Sequence, residues 1–303
     1  DLRCHPAMSE LEPNRCFKTR VQQGRAILLP GVANPLTALI AADTGYEALY
    51  LTGAGVSNMN HGLPDLGLTT LTEVANALRA IRMVVELPIV VDADTGFGNA
   101  VNTHHTVRTL EAAGASAIQL EDQVFPKKCG HFEGKSVVPL GEMLDKIKAA
   151  TDARRDPNLQ IIARTDARSV EGFDAAVGRA QAFIEAGADI TFVEALATEA
   201  EIRALPTRLD RPQIINIVHG GRTPPLPFDE LDRIGYGFVL YANAALQAAM
   251  AAMQRVLKEL YRHGSLDTVA GELAGFGERQ RIVRKAHFDQ LERRYSSGAA
   301  DKG

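Results

Sequence analysis

The sequence predicts an α/β protein in which eight parallel strands close into a (β/α)8 TIM-type barrel. Three observations predict this class. Short apolar runs rich in β-branched residues recur along the chain, a segment with helical spacing follows each run, and 303 residues are enough for one such barrel. Near-continuous apolar strands indicate a parallel sheet covered by helices, and eight repeats favour closure over an open sheet.

The eight predicted strands are bounded by turn residues or polar residues. They begin at Ala26, Ala48, Ile89, Ala117, Gln160, Ile190, Gln213 and Phe238, and read AILL, ALYL, IVVDAD, AIQLED, QIIARTD, ITFVEA, QIINIV and FVLYA. Helices are predicted to begin near Pro35, Thr70, Val101, Leu140, Phe173, Thr198, Phe228 and Ala244. The predicted organisation is an N-terminal arm (1–24), a barrel (25–262), and a C-terminal helical segment with a disordered tail (263–303).

Composition excludes several classes of protein. The formal charge of -4 is small and charges of both signs are interspersed, so no basic surface for nucleic acid is expected. No stretch approaches about 18 consecutive apolar residues, and the amino-terminal residues lack the apolar run of a secretion signal, so no membrane partner is expected. Cys4, Cys16 and Cys129 fit neither a disulfide framework nor a zinc pattern. We therefore predict a cytoplasmic protein.

Five of the predicted strands turn polar at their carboxyl ends. The polar residues there are Asp92, Asp94, Glu121, Asp122, Arg164, Glu194 and Asn216. For a single strand, an acid that caps the next helix would be the ordinary explanation. Five strands together indicate the mouth of a barrel, where the loops that follow the strands build an active site.

Three of these residues form a candidate metal site. Asp92 and Asp94 are spaced i and i+2, so they project toward the same side of a strand, and Glu121 on the next strand is near enough to join them. Three hard anionic oxygens suit Mg²⁺, with Mn²⁺ as a second possibility, whereas zinc favours more His or Cys. The alternative is a salt-bridge cluster with Arg164 or Lys127.

The stretch YLTGAGVSN, which begins at Tyr50, places a phenol, a hydroxyl and two glycines at the end of the second strand. Its backbone amides could bind a carboxylate or a phosphate. It does not match a dinucleotide fingerprint, because Asn58 stands where the third glycine of GxGxxG would be. An ordinary tight turn is the alternative.

The stretch KKCGH, from Lys127 to His131, lies in a predicted loop over residues 123–138 that has no helix of its own. Loops of this length are often functional lids. The neighbouring cations Lys127 and His131 would favour the thiolate of Cys129, which could then act in proton transfer or as a nucleophile. The alternative is that Cys129 is an inert small residue.

Taken in order, YLTGAG, GLPDLG, VDADTGFG, LEDQ, KKCGH, ARTDA and FVEA resemble the motifs of the isocitrate lyase and phosphoenolpyruvate mutase superfamily. The resemblance covers residues 25–262. It implies a barrel whose last helix is often exchanged between subunits of a homodimer or homotetramer. It also implies Mg²⁺ and a small-molecule substrate that is, or becomes, a 2-oxo acid.

The resemblance implies roles for individual residues. Asp92, Asp94 and Glu121 would hold the metal partly through water, and Asp65 of GLPDLG would support them. The loop KKCGH is typical of the lyase branch, in which Cys129 would protonate a carbanion. The remaining predicted catalytic residues are Tyr50 as acceptor of the hydroxyl proton, Lys127 and His131. The predicted substrate-binding residues are Thr52, Gly53, Ala54, Gly130, Arg164, Glu194, Asn216, Val218 and Asn243.

Two departures from the pattern narrow the predicted substrate. Methylisocitrate lyases typically read CGHRPNK and NxTEFG, whereas this chain reads CGHFEGK and NIVHGG. Phe132, Val218 and His219 thus replace an arginine, a threonine and a glutamate. Loss of a cation and a hydroxyl argues against a tricarboxylate, whose charge would be left unpaired.

We therefore predict a carbon–carbon lyase that cleaves a 2-alkylmalate such as 2,3-dimethylmalate to a 2-oxo acid, such as pyruvate, and a carboxylic acid. The alternatives are a 2-methylisocitrate lyase, an oxaloacetate hydrolase or decarboxylase, an enzyme like carboxyphosphonoenolpyruvate phosphonomutase, and a noncatalytic binding barrel. Oxaloacetate stays open because Thr52 stands where serine is usual and because YANAAL, which contains Asn243, replaces YPLTAL or YPLSAF.

Overall fold

A computed structural model describes residues 12–128, 130 and 134–296. Within these residues eight parallel strands form a closed barrel in chain order, in which the last strand pairs with the first. The strands are β1 (Ile27–Val32), β2 (Leu49–Leu51), β3 (Ile89–Asp92), β4 (Ala117–Glu121), β5 (Gln160–Thr165), β6 (Ile190–Val193), β7 (Gln213–Asn216) and β8 (Phe238–Tyr241). The predicted (β/α)8 fold and all eight predicted strands are confirmed.

The helices fall between and after the strands. They are α1 (Glu12–Gln22), α2 (Pro35–Thr44), α3 (Gly53–Gly55), α4 (Leu71–Arg82), α5 (Ala100–Ala112), α6 (Leu140–Ala153), α7 (Arg168–Glu171), α8 (Phe173–Glu185), α9 (Glu199–Ala204), α10 (Phe228–Ile234), α11 (Ala244–His263), α12 (Phe276–Ile282) and α13 (Lys285–Tyr295). Short π-helical and 3-10 turns cover Val56–Asn60, Leu205–Thr207 and Ala270–Glu272. The eight predicted helix starts agree with the structure to within one residue.

Local sequence explains where the helices begin. Asn34 caps α2 by accepting a hydrogen bond from the amide of Thr37, and the helix ends at Gly45 with a φ of 101°. At the start of α4, Glu73 reaches back to the amide of Thr70 at 2.6 Å, which completes a capping box. These caps fix where each helix departs from the loop before it.

The registers of β3, β4 and β5 bring the polar strand ends together. Asp92 on β3 pairs with Gln119 on β4, and Glu121 on β4 pairs with Arg164 on β5. Because neighbouring strands lie about 4.8 Å apart, these polar side chains meet at the carboxyl end of the barrel. The sheet therefore sets the geometry of the site.

The inside of the barrel is filled by one apolar cluster, to which every strand contributes. Phe17 of α1 belongs to this cluster, is 1% exposed, and packs on Phe238 with ring centroids 5.7 Å apart. Burying a phenylalanine stabilises a fold by roughly 2–3 kcal/mol. The part of the predicted N-terminal arm that the structure describes is thus an α-helix joined to the barrel core.

The chain forms two compact units, with the first running to Leu246 and the second beginning at Gln247. The second unit contains the rest of α11 together with α12 and α13, and Arg255 forms an ion pair with Glu272 inside it. Of the predicted disordered tail SSGAADKG, only Ser296 lies within the described residues. Over residues 12–128, 130 and 134–296, no helix has both the length and the apolar character needed to cross a membrane.

Candidate active site

Side chains from the carboxyl ends of the strands surround a small cavity of about 40 Å³ at the barrel mouth. The predicted site residues that line it are Tyr50, Thr52, Ala54, Asp65, Asp92, Lys127, Gly130, Arg164, Glu194, Asn216 and Asn243. Asp94 and Glu121 are buried beside it. These predicted residues therefore lie around one cavity at the carboxyl ends of the strands.

Four further predicted site residues are not among the described residues that line the cavity. Gly53 contacts the site through its backbone rather than as part of the cavity wall. Val218 is half-buried and does not line the cavity, because β7 ends two residues earlier at Asn216. Cys129 and His131 lie outside the described residues.

Asp92 is held by three nitrogen donors. Its Oδ1 accepts from the amide of Asp94 at 3.1 Å and from Gln119 Nε2 at 3.2 Å, and its Oδ2 accepts from the amide of Gly53 at 3.3 Å. A Cβ on Gly53 would lie 3.1 Å from Asp92 Oδ2 and 3.2 Å from Asp94 Oδ1. Glycine at this position therefore lets the backbone approach the two carboxylates closely.

Lys127 lies between two carboxylates. Its Nζ is 2.5 Å from Asp65 Oδ1 and 2.7 Å from Asp94 Oδ1, and its side chain is only 4% exposed. Burial alone would lower the pKa of Lys127, but the charges of Asp94 and Asp65 raise it well above its usual value. The ammonium group is therefore charged at neutral pH, and it ties the loop to the GLPDLG and DAD segments.

Burial makes ionisation of two acidic residues of the mouth unfavourable. Burial raises the pKa of Asp94 to about 6, with Lys127 lowering it and Asp92 raising it. Burial raises the pKa of Glu121 well above its usual value, an effect that the guanidinium of Arg164 opposes and the charge of Asp166 reinforces. An additional cation would stabilise the ionised forms of both groups.

The donor set fits a hydrated Mg²⁺ ion. Within the described part of the chain, no three His, Cys, Asp or Glu side chains are arranged to hold a metal directly. The oxygens of Asp92, Asp94 and Glu121 are hard ligands, however, and Mg²⁺ usually keeps several waters when it binds to carboxylates. The residues present therefore suit a metal bound partly through water.

Arg164 extends from β5 into the cavity. Its guanidinium donates two hydrogen bonds to Asp166, from Nε at 2.9 Å and from Nη2 at 3.1 Å. Nitrogens of the same group lie 3.4 Å from Glu121 Oε2 and 3.4 Å from Glu194 Oε2. The guanidinium carbon is 5.2 Å from the centroid of the Phe192 ring. Burial alone would lower the pKa of Arg164, but these three carboxylates raise it well above its usual value. The arginine is thus a fixed, permanently charged group suited to a substrate carboxylate.

Tyr50 is fully buried at the end of β2 and donates a hydrogen bond to Gln119 Oε1 at 2.6 Å. Burial and the negative charge of Asp92 raise the pKa of Tyr50 well above its usual value. The phenol is therefore protonated in the structure described, and with its hydrogen donated to Gln119 its oxygen lone pairs can accept a hydrogen bond. The predicted role of Tyr50 as acceptor of the hydroxyl proton stays a prediction.

Two amide oxygens near the cavity have no hydrogen-bond partner among the described residues. They are Oδ1 of Asn216 and Oδ1 of Asn243, and both are buried. Buried polar atoms are normally paired, and an asparagine amide that turns over presents its NH₂ group instead. Both residues can therefore bind a polar ligand group in the cavity.

The described part of the loop over residues 123–138 is anchored to the barrel at several points. At its base, the amide of Val124 donates to the carbonyl of Ser136 at 2.9 Å. Lys135 Nζ donates to Asp166 Oδ1 at 2.6 Å and also to the carbonyl of Gly130. A Cβ on Gly130 would lie 2.5 Å from Arg164 Nη2, so the loop backbone rests against the arginine.

Sequence reasoning missed Gln119, Lys135 and Asp166. Asp166 follows Arg164 by two residues, a spacing that places both on one side of a strand, and this could have identified it. Gln119 is a polar residue within an otherwise apolar strand, which is also a usable signal. No spacing signal links Lys135 to Asp166.

The fold and this site define a class of barrel enzyme, and sequence comparison gives its family. A model of the phosphoenolpyruvate phosphomutase family matches residues 17–261, and the chain belongs to this family. The superfamily resemblance seen in the sequence motifs is thereby confirmed.

Individual relatives narrow the class further. The chain is 45% identical to 2-methylisocitrate lyase of Aeropyrum pernix over 261 residues, which cover 86% of this chain and 84% of the relative. It is 40% identical to 2,3-dimethylmalate lyase of Eubacterium barkeri over 274 residues, which cover 90% and 95%. These relatives identify the protein as a carbon–carbon lyase.

A solved structure is also similar. The phosphonopyruvate hydrolase in complex with oxalate and Mg²⁺ superposes with a TM-score of 0.83 and 31% identity, covering 95% of this chain and 99% of that one. That protein binds a divalent metal together with a small dicarboxylate.

Proposed function

We propose that the protein cleaves the C2–C3 bond of a 2-alkylmalate such as 2,3-dimethylmalate, with Mg²⁺ as cofactor, to give a 2-oxo acid such as pyruvate and a short carboxylic acid. One observation supports a dicarboxylate as the substrate. Arg164 is the sole guanidinium lining the cavity in the described residues; of the two lysines there, Lys127 is bonded to two carboxylates and Lys128 donates to the carbonyl of Gly134. One substrate carboxylate pairs with Arg164, and the asparagine amides suit the other.

The reaction balances without water. The hydroxyl at C2 gives its proton to one of the carboxylates at the mouth and becomes the 2-oxo group, the electron pair of the C2–C3 bond moves to C3, and C3 gains a proton from a side chain. Mg²⁺, when bound by Asp92, Asp94 and Glu121 with water, would supply positive charge that makes the hydroxyl more acidic and stabilises the oxo acid. The backbone at Thr52, Gly53 and Ala54 would bind the oxo acid portion.

The remaining residues position the substrate and deliver the proton. Arg164 is held rigid by three carboxylates, which lowers the entropic cost of orienting the substrate. Cys129 is the proposed proton donor to C3, since Lys127 and His131 of the same loop would tune its thiol. The loop over residues 123–138 would close over the bound substrate and exclude water, which favours protonation of carbon over hydrolysis.

A second candidate is 2-methylisocitrate cleavage, and the 45% identity to a 2-methylisocitrate lyase favours it. This substrate carries a third carboxylate and needs a further cation. Lys135 stands in the CGHFEGK stretch, but its ammonium group is bonded to Asp166. Phe132 and Val218 replace the arginine and the threonine of the usual pattern, and loss of that cation and that hydroxyl favours the dicarboxylate.

An assay of the released oxo acid or oxalate tests the proposal. Purified protein with Mg²⁺ is given 2,3-dimethylmalate, citramalate, malate, 2-methylisocitrate, isocitrate, oxaloacetate and phosphonopyruvate in parallel, and pyruvate, glyoxylate and oxalate are each measured. The proposal expects the highest kcat/KM with a 2-alkylmalate and loss of activity with a chelator that added Mg²⁺ restores. Higher kcat/KM for 2-methylisocitrate would select the second candidate, and turnover of phosphonopyruvate alone would replace both.

We also propose a cytoplasmic homodimer or homotetramer, with C-terminal helices exchanged between subunits. Large apolar side chains are exposed on the second unit, among them Met253, Leu257, Tyr261, Phe276 and Phe288. Exposed apolar surface of this kind favours association. Light scattering of the purified protein measures the mass directly, and a monomeric mass at all concentrations would reject the proposal.

A further inference from the structure

Gln119 joins a candidate catalytic residue to a candidate metal ligand. It lies on β4, is 0% exposed, and projects into the barrel between β2 and β3. Its Oε1 accepts from the Tyr50 hydroxyl at 2.6 Å, and its Nε2 donates to Asp92 Oδ1 at 3.2 Å. Both ends of the Gln119 amide are therefore hydrogen-bonded, although the sequence motifs assign no role to Gln119.

Hydrogen-bond rules fix the direction of this chain. Nε2 of Gln119 donates to Asp92 Oδ1, an oxygen that already accepts from the amide of Asp94, so the NH₂ end of Gln119 faces Asp92. The Oε1 end must then face Tyr50, and a carbonyl oxygen also only accepts. The Tyr50 hydroxyl therefore has to be the donor, and its hydrogen points toward Gln119.

We infer that Gln119 is a positioning residue for the proposed lyase reaction, which turns the Tyr50 hydroxyl hydrogen away from the cavity and leaves the Tyr50 oxygen as an acceptor for the substrate hydroxyl. This inference rests on the proposed function. It explains why an uncharged amide lies deep in the barrel, where a polar group is costly unless both of its ends are bonded.

The same amide also restrains Asp92. Carboxylate oxygens next to a metal site need fixed orientation, and donors behind a ligand usually supply it. Through one side chain, the orientation of the substrate hydroxyl is coupled to that of the carboxylate proposed to hold Mg²⁺. A change at Gln119 must therefore affect Tyr50 and Asp92 together.

Activity gives the first test. Gln119→Met keeps the size of the side chain and removes both hydrogen bonds, so kcat is expected to fall on the order of tenfold to a hundredfold while KM changes much less. Gln160→Met is the matched control, because Gln160 is a buried glutamine on the next strand that bonds only to the carbonyl of Asn158. In a double-mutant cycle with Tyr50→Phe, the two losses are expected to be non-additive. Additive losses, or equal losses in the control, would overturn the inference.

A spectroscopic test needs no substrate and so separates this inference from the proposed function. The Raman Fermi doublet of tyrosine reports whether the hydroxyl donates a strong hydrogen bond, and subtracting the spectrum of Tyr50→Phe isolates Tyr50 from the other five tyrosines. The donor signature is expected in the wild-type protein, lost in Gln119→Met, and retained in Gln119→Glu, which still offers an oxygen to Tyr50.

Either variant can overturn the inference. A donor signature that persists in folded Gln119→Met would show that Tyr50 bonds elsewhere, and loss of the signature in folded Gln119→Glu would contradict the assigned direction. If the wild-type protein turns over none of the tested acids but shows the expected signatures, the proposed function fails and the Tyr50 orientation stands.

Discussion

Asp166 accepts two hydrogen bonds from the guanidinium of Arg164, from Nε at 2.9 Å and from Nη2 at 3.1 Å. The same carboxylate accepts a third from Lys135 Nζ at 2.6 Å. One buried carboxylate therefore fixes the arginine proposed to bind substrate and also anchors the described end of the KKCGH loop. The ionisation state of Asp166 therefore affects both the position of Arg164 and the anchoring of the loop.

Acid stability should depend on Asp166. Burial alone would raise the pKa of Asp166, but the charges of Arg164 and Lys135 lower it to about 2. An aspartate with a depressed pKa stabilises the fold above its unfolded pKa of about 3.9, and this contribution is lost as the pH falls toward 2. We expect Asp166→Asn to lower the free energy of unfolding at neutral pH on the order of 2 kcal/mol and to flatten its pH dependence between about 4 and 2.

Denaturant unfolding at several pH values measures this effect. Asp174→Asn is the control, because Asp174 is 86% exposed and pairs only weakly with Arg208 at the surface. An unchanged acid slope in Asp166→Asn would contradict the assignment of the charge to Asp166.

The close approach of the loop to Arg164 predicts a steric effect at Gly130. A methyl group there would lie 2.5 Å from Arg164 Nη2 and 2.6 Å from Glu194 Cγ, so Gly130→Ala must push the loop or the arginine aside. We expect kcat to fall on the order of 10²-fold, as for an ångström-scale displacement in an active site. Gly141→Ala is the control, since nothing lies within 4 Å of its added methyl, and wild-type activity is expected. Steady-state kinetics on the best substrate decide the question.

Cys129 is predicted to donate the proton to C3. A serine hydroxyl is far less acidic than a thiol, so Cys129→Ser should lower kcat by about 10²–10⁴-fold, the usual contribution of general acid–base catalysis. Cys16→Ser, on the distant helix α1, should leave kcat unchanged. Solvent-isotope incorporation into the released carboxylic acid gives a second measurement, and full activity of Cys129→Ser would reject the assignment.

Removal of one carboxylate should weaken metal binding. Asp94→Asn takes away an anionic oxygen beside Asp92, and we expect the affinity for Mg²⁺ to fall at least about tenfold, the scale on which changes around metal sites act. Asp145→Asn on α6, at a position 69% exposed, controls for a change in overall charge. Isothermal titration with Mg²⁺ in the absence of substrate measures both variants. Equal affinities would remove Asp94 from the proposed ligand set.

The sequence predicted the strands well because each is a short apolar run with a definite end. The one consistent error concerns where strands end. The sequence predicts that β3 runs to Asp94, whereas β3 stops at Asp92, because Asp94 adopts a φ of 47°. The parallel direction of the strands was enough to predict that Asp92 and Arg164 lie at the same mouth of the barrel. It could not show that Tyr50 donates its hydrogen to a neighbour, since a hydrogen-bond direction depends on three side chains from three strands. Nor could it pair Lys135 with Asp166, which are 31 residues apart.

The burial of Lys127 determines how the loop responds to ionic strength. At 1 M salt the Debye length is about 3 Å, and counterions screen pairs that water can reach, such as Arg203 with Glu199 at 47% and 54% exposure. Lys127 and Asp65 are 4% and 12% exposed, so mobile ions cannot enter between them. High salt should therefore weaken the ion pairs on the outer helices while the described part of the loop stays attached beside Asp65.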